Sequence, residues 1–228
     1  RMSYVELACT TSYSFLRGAS PPSDYVAEGI RLGLTAIGIA DRNSVSGVVR
    51  AWKALRDAPD DARSVLLAAK REAGEPERLS AADDAACETH IRFLAAARLV
   101  FSDGAPDIIA YPATRQGWGN LTRLLTAGNM RATKGSCILK FDDLLDHLGD
   151  LLLVVLPYST ADAEEVHKNP PFYQFKESRK PAATTSHLKL VSTAPQDWER
   201  ALRRLTSVHA DHVWLGISTH YQGKDKRQ

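Results

Sequence analysis

The sequence predicts an α/β protein in which short parallel strands alternate with amphipathic helices, in a barrel-like arrangement rather than a sandwich. Three observations carry that reading. The first 57 residues run strand, helix, strand, helix, the chain order of parallel β/α units. The apolar runs, such as 35-TAIGIA-40 and 151-LLLVVL-156, are short enough to be strands covered on both faces. The same alternation resumes, less tidily, between residues 91 and 218.

In the first strand Val5, Leu7 and Cys9 alternate with Glu6, Ala8 and Thr10, and a period of two puts Ala8 and Thr10 on one face. Ser20 and Pro21 read as the N-cap and first turn of a helix over 21–32 that ends at Gly33. Residues 35–40 form the second strand, ending at Asp41. The next helix is expected over 44–57, with Val45, Val48, Val49, Trp52 and Leu55 on its buried side. Further along, 91–101 and 108–112 read as strands around the turn 102-SDGAPD-107, and 116–131 as a helix. The chain closes with helices over 141–148 and 195–209 and strands over 151–157 and 212–218. Two polar stretches without clear periodicity, 58–90 and 161–187, are expected to be surface insertions. Residues 221-YQGKDKRQ-228 follow a strand where a β/α protein starts its next helix, so the fold is expected to be truncated before its final strands.

Composition excludes several classes. Of 228 residues 44% are hydrophobic and 25% charged, so a core can be buried and neither disorder nor a fibre is indicated. A net charge of +2 decides little, because a dedicated nucleic-acid binder concentrates far more Lys and Arg on one face, and any nucleic-acid role must be argued from elsewhere. Cys9, Cys87 and Cys137 are widely spaced and match neither a disulfide framework nor a CxxC zinc cluster. They suit a reducing, cytoplasmic compartment. Residues 151–156 are too few to span a bilayer, and RMSYVEL lacks the apolar core of a secretory signal, so no membrane role is expected.

The stretches 6-ELACTTSYSFLRGAS-20, 33-GLTAIGIADRNSVSGVVRA-51, 97-ARLVFSDGAPDIIAYP-112, 121-LTRLLTAGNMRATKGSC-137 and 213-VWLGIS-218 resemble a known family, in that family's order. It is the PHP (polymerase and histidinol phosphatase) domain at the N-terminus of bacterial C-family DNA polymerases, closest to the error-prone branch. The resemblance implies a PHP-type distorted β/α barrel over residues 1–228, incomplete at its C-terminus. It further implies a parent DNA-directed DNA polymerase, a nucleotidyltransferase acting in translesion synthesis and DNA repair. Members with an intact metal centre use a His-x-His pair on the first strand, an Asp-His pair after the second motif and a later Glu. Here the pair becomes Ala8 and Thr10, Asp41 is followed by Arg42, and the glutamate aligns with Arg98. A fixed cation repels a divalent ion, so this chain is expected to hold no metal and no catalytic residue. Asp41 is expected to pair with a nearby arginine instead.

The same resemblance places the polymerase palm, with its Mg2+, outside this chain. Expected partners are the thumb and palm of the parent chain and, through that parent, DNA, the sliding clamp and accessory mutagenesis proteins. Two other readings stay open: a stand-alone metal-dependent phosphoesterase or 3′-5′ exonuclease, and a truncated binding module. Arg123, Arg131 and Lys134 could form a phosphate-contacting strip, or a solvated helix end. The basic, aromatic 171-PFYQFKESRK-180 could stack on a single strand, though a variable loop is the simpler account. The spacing 209-HADH-212 reads as surface histidines, 103-DGAPD-107 as turn chemistry, and Cys137 as a small buried thiol.

Overall fold

The computed structural model describes residues 4–156 and 195–216, with side chains of the second segment from Glu199 onward. The chain divides into two compact units, Arg1–Arg98 with Ile109–Pro112, and Leu99–Ile108 with Ala113–Gln228.

In the first unit β1 (Val5–Cys9), β2 (Ala36–Arg42) and β3 (Arg92–Leu99) pair in parallel, in chain order. The α/β expectation is thereby met. Every residue of β2 from Ala36 to Asp41 is buried, which is why 35-TAIGIA-40 is a continuous apolar run rather than an alternating one. Helix α1 (Pro22–Leu32) starts one residue later than predicted, with Pro21 in the cap position. The Ser20 carbonyl accepts a hydrogen bond from Ser12 N–H at 2.9 Å instead, closing the loop after β1. At the other end Gly33 takes φ 66°, and the N–H groups of Gly33 and Leu34 donate to Ile30 and Gly29. That left-handed cap is where glycine carries no Cβ penalty.

Helix α2 (Ser46–Glu72) departs most from expectation. It passes through Pro59 and continues fifteen residues beyond the predicted end at Asp57. Its fully buried residues are Gly47, Val48 and Ala51, while Val49 and Trp52 are 65% and 49% exposed. The predicted buried side was therefore too wide: the helix packs against α1 and β2 along a narrow stripe, and the Arg56 guanidinium covers the Trp52 ring at 4.9 Å. Beyond Pro59 no residue of the helix is fully buried, Leu66 and Leu67 are half-buried, and ion pairs add to the hold. Arg63 reaches Asp60, Asp84 and Glu88 at 2.7–3.0 Å, joining α2 to the short helix α3 (Ala81–Cys87). Ser80 and Asp83 cap α3 reciprocally. Much of 58–90 is thus helical; 161–187 lies outside the described residues. Strand β4 (Ile108–Pro112) has the predicted bounds.

In the second unit α4 (Arg115–Arg131) buries Gly117, Leu121, Leu124, Leu125 and Gly128, one stripe at helical spacing. Thr114 caps it by accepting from Gly117 N–H at 3.1 Å. Then come α5 (Phe141–Leu145), β5 (Leu151–Val155), α6 (Pro195–His209), a 3-10 turn (Ala210–His212) and β6 (Val213–Leu215). β5 and β6 pair in parallel, Leu153 opposite Val213. The 3-10 turn takes His212 out of the strand predicted to begin there.

Candidate functional site

The C-terminal ends of β1, β2 and β3 converge on Asp41, whose side chain is fully buried. A bare carboxylate there would be costly, so its surroundings are built from donors. Thr11 N–H donates to Oδ1 at 2.8 Å, Ser14 Oγ to Oδ1 at 2.7 Å, and Thr11 Oγ1 lies 2.8 Å from Oδ2. Sequence reading gave Asp41 an arginine partner; the structure gives it hydroxyl and amide donors from the loop after β1. The carboxylate also lies against the first turn of α2, where the helix dipole favours negative charge. A Cβ at Gly47 would sit 2.3 Å from Asp41 Oδ2, so only glycine lets the helix come this close.

The loop is folded around that carboxylate. Ser14 N–H donates to the Thr11 carbonyl, and Arg17 and Gly18 N–H to the Ser14 carbonyl, at 2.9–3.0 Å. Ser14 Oγ accepts from Arg42 N–H at 2.9 Å, tying the loop to the end of β2. Thr11, Ser14 and Gly47 are the residues that sequence reading missed. Their signal was present, as hydroxyls directly after a strand and a glycine at a helix start.

Ala8 and Thr10 share a cleft of about 470 Å³ with Tyr4, Glu6, Tyr25 and Glu28. Register breaks between Glu6, opposite Ile37, and Cys9, opposite Ile39, so β1 carries an extra residue at this point. The bulge brings the Leu7 carbonyl over Gly38, where a Cβ would lie 2.5 Å from it, and the Tyr111 hydroxyl donates to the same carbonyl. Tyr25 donates to the Thr10 carbonyl at 2.9 Å, and Glu6 accepts from Tyr4 and Ala8 N–H. Burial pushes the Cys9 thiol up to about 12, with the charge of Glu6 adding to it. Burial, then the charges of Cys9, Asp41 and Glu6, raise the Tyr25 hydroxyl as well.

Arg42 and Arg98 are register partners on β2 and β3, both half-buried. The structure thus brings all five positions, Ala8, Thr10, Asp41, Arg42 and Arg98, to one end of one sheet. This donor set does not fit a divalent metal. Alanine has no donor, the arginines are cations, and the Asp41 oxygens are already bonded to Thr11 and Ser14. Among the described residues no three His, Cys, Asp or Glu side chains gather to hold an ion.

The three basic residues of the second unit are placed differently. Arg131 grips Asp143 through both nitrogens at 2.6 and 2.8 Å and also donates to the Ile138 carbonyl, joining α4 to α5. The Arg131 guanidinium holds the Asp143 carboxyl below its ordinary range. Arg123 donates to Asn120 at 2.6 Å, and Lys134 is exposed in the turn after α4. Asp103 caps α5 by accepting from Phe141 N–H at 2.7 Å. His209 Nε2 lies 2.8 Å from the Leu151 carbonyl, its ring stacked on His212. Burial raises the Cys137 thiol.

Residues 6–220 match the family described as the PHP domain. An error-prone DNA polymerase of Rhodopseudomonas palustris (strain BisB5) is 37% identical over 225 residues, 99% of this chain and 15% of that protein. One from Caulobacter vibrioides is 44% identical over 165 residues, 72% of this chain and 12% of that protein. The chain therefore spans less than a fifth of the length of these two relatives. Among solved structures, one described as a metal-dependent phosphoesterase from Bifidobacterium adolescentis aligns with a TM-score of 0.43 and 12% identity, covering 98% of this chain and 90% of that one. No helix of the described residues is long and apolar enough to cross a membrane.

Proposed function

The chain belongs to the PHP domain family, and from that premise we propose that it is the non-catalytic N-terminal PHP domain of an error-prone DNA-directed DNA polymerase acting in translesion synthesis and DNA repair. The polymerase half of this reading is supported by relatives named error-prone DNA polymerase that are several times longer than this chain. The non-catalytic half is carried by one observation. Asp41, the single acid among the five positions, is buried and bonded to Thr11 and Ser14, with arginines at two of the other positions.

In this reading nucleotidyl transfer and its Mg2+ belong to the palm of the parent protein, outside residues 1–228. The domain packs against the thumb and palm and stabilises them. DNA, the sliding clamp and accessory mutagenesis proteins are engaged through the parent, in the cytoplasm. Immunoblotting of DNA-damaged source cells with an antibody to this segment tests the proposal. A band several times larger than 25.0 kDa that rises after damage is expected; a band at 25.0 kDa alone sinks the polymerase half. Stoichiometric manganese, zinc or iron with phosphodiester hydrolysis by the purified chain overturns the non-catalytic half.

A further inference from the structure

We propose that the tip of the loop after β1, formed by Phe15 and Leu16 with Tyr13 beside them, is a preformed apolar knob that seats in a pocket of the parent polymerase outside residues 1–228. Phe15 and Leu16 are 84% and 85% exposed, the most exposed large apolar side chains among the described residues, and Tyr13 is 40% exposed. A loop that only turned the chain in water would carry polar residues or glycine there. The base beneath the tip is fixed from both sides. Ser14 is buried, its hydroxyl bonded to Asp41 and to Arg42 N–H, and its carbonyl accepts from Arg17 and Gly18 N–H at 2.9 and 3.0 Å. Ser12 N–H closes the loop on the Ser20 carbonyl, and a Cβ at Gly18 would lie 2.1 Å from the Thr11 carbonyl. Leu16 takes φ 61°, a left-handed conformation that is strained for a residue with a Cβ and that glycine or asparagine ordinarily fills. The fold thus holds two large apolar side chains out in water on an ordered, strained turn, so a partner that covers them has little loop entropy left to remove.

Charge and length select the occupant. Arg17 is the single charged residue between Thr10 and Ser20, and it lines the same cleft as Glu6 and Glu28, so the loop has no surplus of positive charge to draw a phosphate backbone. An apolar pocket on protein is what Phe15 and Leu16 fit. The two polymerase relatives align with this chain over only 15% and 12% of their length, which leaves most of such a protein on the same polypeptide, where docking is intramolecular and needs no second molecule. In that respect the inference rests on the polymerase reading.

The test places the photo-crosslinking residue p-benzoylphenylalanine at position 15 of the parent polypeptide and reads the crosslinked peptide by mass spectrometry. A crosslink to an apolar segment of the same polypeptide outside residues 1–228 is expected. A crosslink to DNA, to a second copy or to another protein, or no crosslink, overturns the proposal. A second measurement uses Phe15→Ser combined with Leu16→Gly. In the 228-residue chain alone the double variant is expected to keep or raise the thermal midpoint, because the tip is exposed and the strain at Leu16 is relieved. In the parent it is expected to lower the midpoint by several degrees. A fall of that size in the chain alone means that the tip packs within the domain, and an unchanged parent means that it seats nowhere; either result overturns the proposal. The immunoblot keeps the two readings apart. A band at 25.0 kDa alone removes the parent and the occupant together, whereas a larger band without a crosslink overturns the knob and leaves the polymerase reading standing.

Discussion

Asp41 shows how a single buried charge can organise a loop. Its carboxylate accepts from Thr11 and Ser14 and lies against the first turn of α2. Asp41→Asn turns an acceptor into a donor facing other donors, and is expected to cost about 2–3 kcal/mol in urea unfolding. A loss below about 0.5 kcal/mol, the scale of an ordinary surface substitution, would remove Asp41 from this role. Gly47→Ala drives a methyl against Asp41 Oδ2 and is expected to cost about 1–3 kcal/mol by overpacking, read in the same assay. Cys9 makes a chemical prediction. With its thiol pushed up to about 12, it is almost wholly protonated at pH 8, and the thiolate is the reactive form. Iodoacetamide should leave it unmodified in the native chain and alkylate it on unfolding, as peptide mass spectrometry would show. Rapid labelling of native protein would contradict the buried placement. Asp41 and Arg42 were legible as degenerate ligand positions through the resemblance of 33-GLTAIGIADRNSVSGVVRA-51 to a known family. The partners of Asp41 were not, because Thr11 lies 30 residues away and reaches it only through the parallel pairing of β1 with β2.

At the scale of elements, charge extends what apolar pattern begins. The second half of α2 was missed as a helix because Pro59 reads as a break and 58–90 taken whole is polar and Ala-rich, which hid the short run Ala62, Val65, Leu66 and Ala69 at helical spacing. Arg63 holds that half to α3, so Arg63→Ala should raise amide exchange across 60–72 and 81–87, and high salt should weaken the wild type in the same direction. Unchanged exchange would mean that the helix persists on propensity alone. The Arg131–Asp143 pair links α4 to α5 with a defined pH sign. Asp143 is held below its ordinary carboxylate value in the folded state, so the unfolded chain takes up its proton first as pH falls. The contribution is complete above about pH 4 and lost as pH falls through the lower folded value. With Arg131 part-exposed it should amount to about 1 kcal/mol or less. Asp143→Asn should flatten that part of the acid-unfolding curve, and an unchanged curve would assign acid sensitivity to other carboxylates. Arg131 is thus bonded within the fold.

For the molecule as a whole, the non-catalytic reading predicts indifference to metal. Dialysis against EDTA should leave the thermal midpoint within about 1 °C, whereas loss of a structural or catalytic ion bound at many times its Kd would lower it by several degrees. Much of the architecture was readable from the chain. Apolar period and turn residues locate the strands, α1 and α4, since these depend on neighbours a few positions apart. The resemblance to a known family marked Ala8, Thr10, Arg42 and Arg98 as replaced positions. Composition and pattern could not say that Asp41 would be enclosed by hydroxyls, that α2 would run to Glu72 on a network of ion pairs, or that Arg42 would face Arg98 across a ladder. Local periodicity says which face of an element is apolar. Strand register and loop closure decide which distant side chains meet, and the chemistry of this site depends on those meetings.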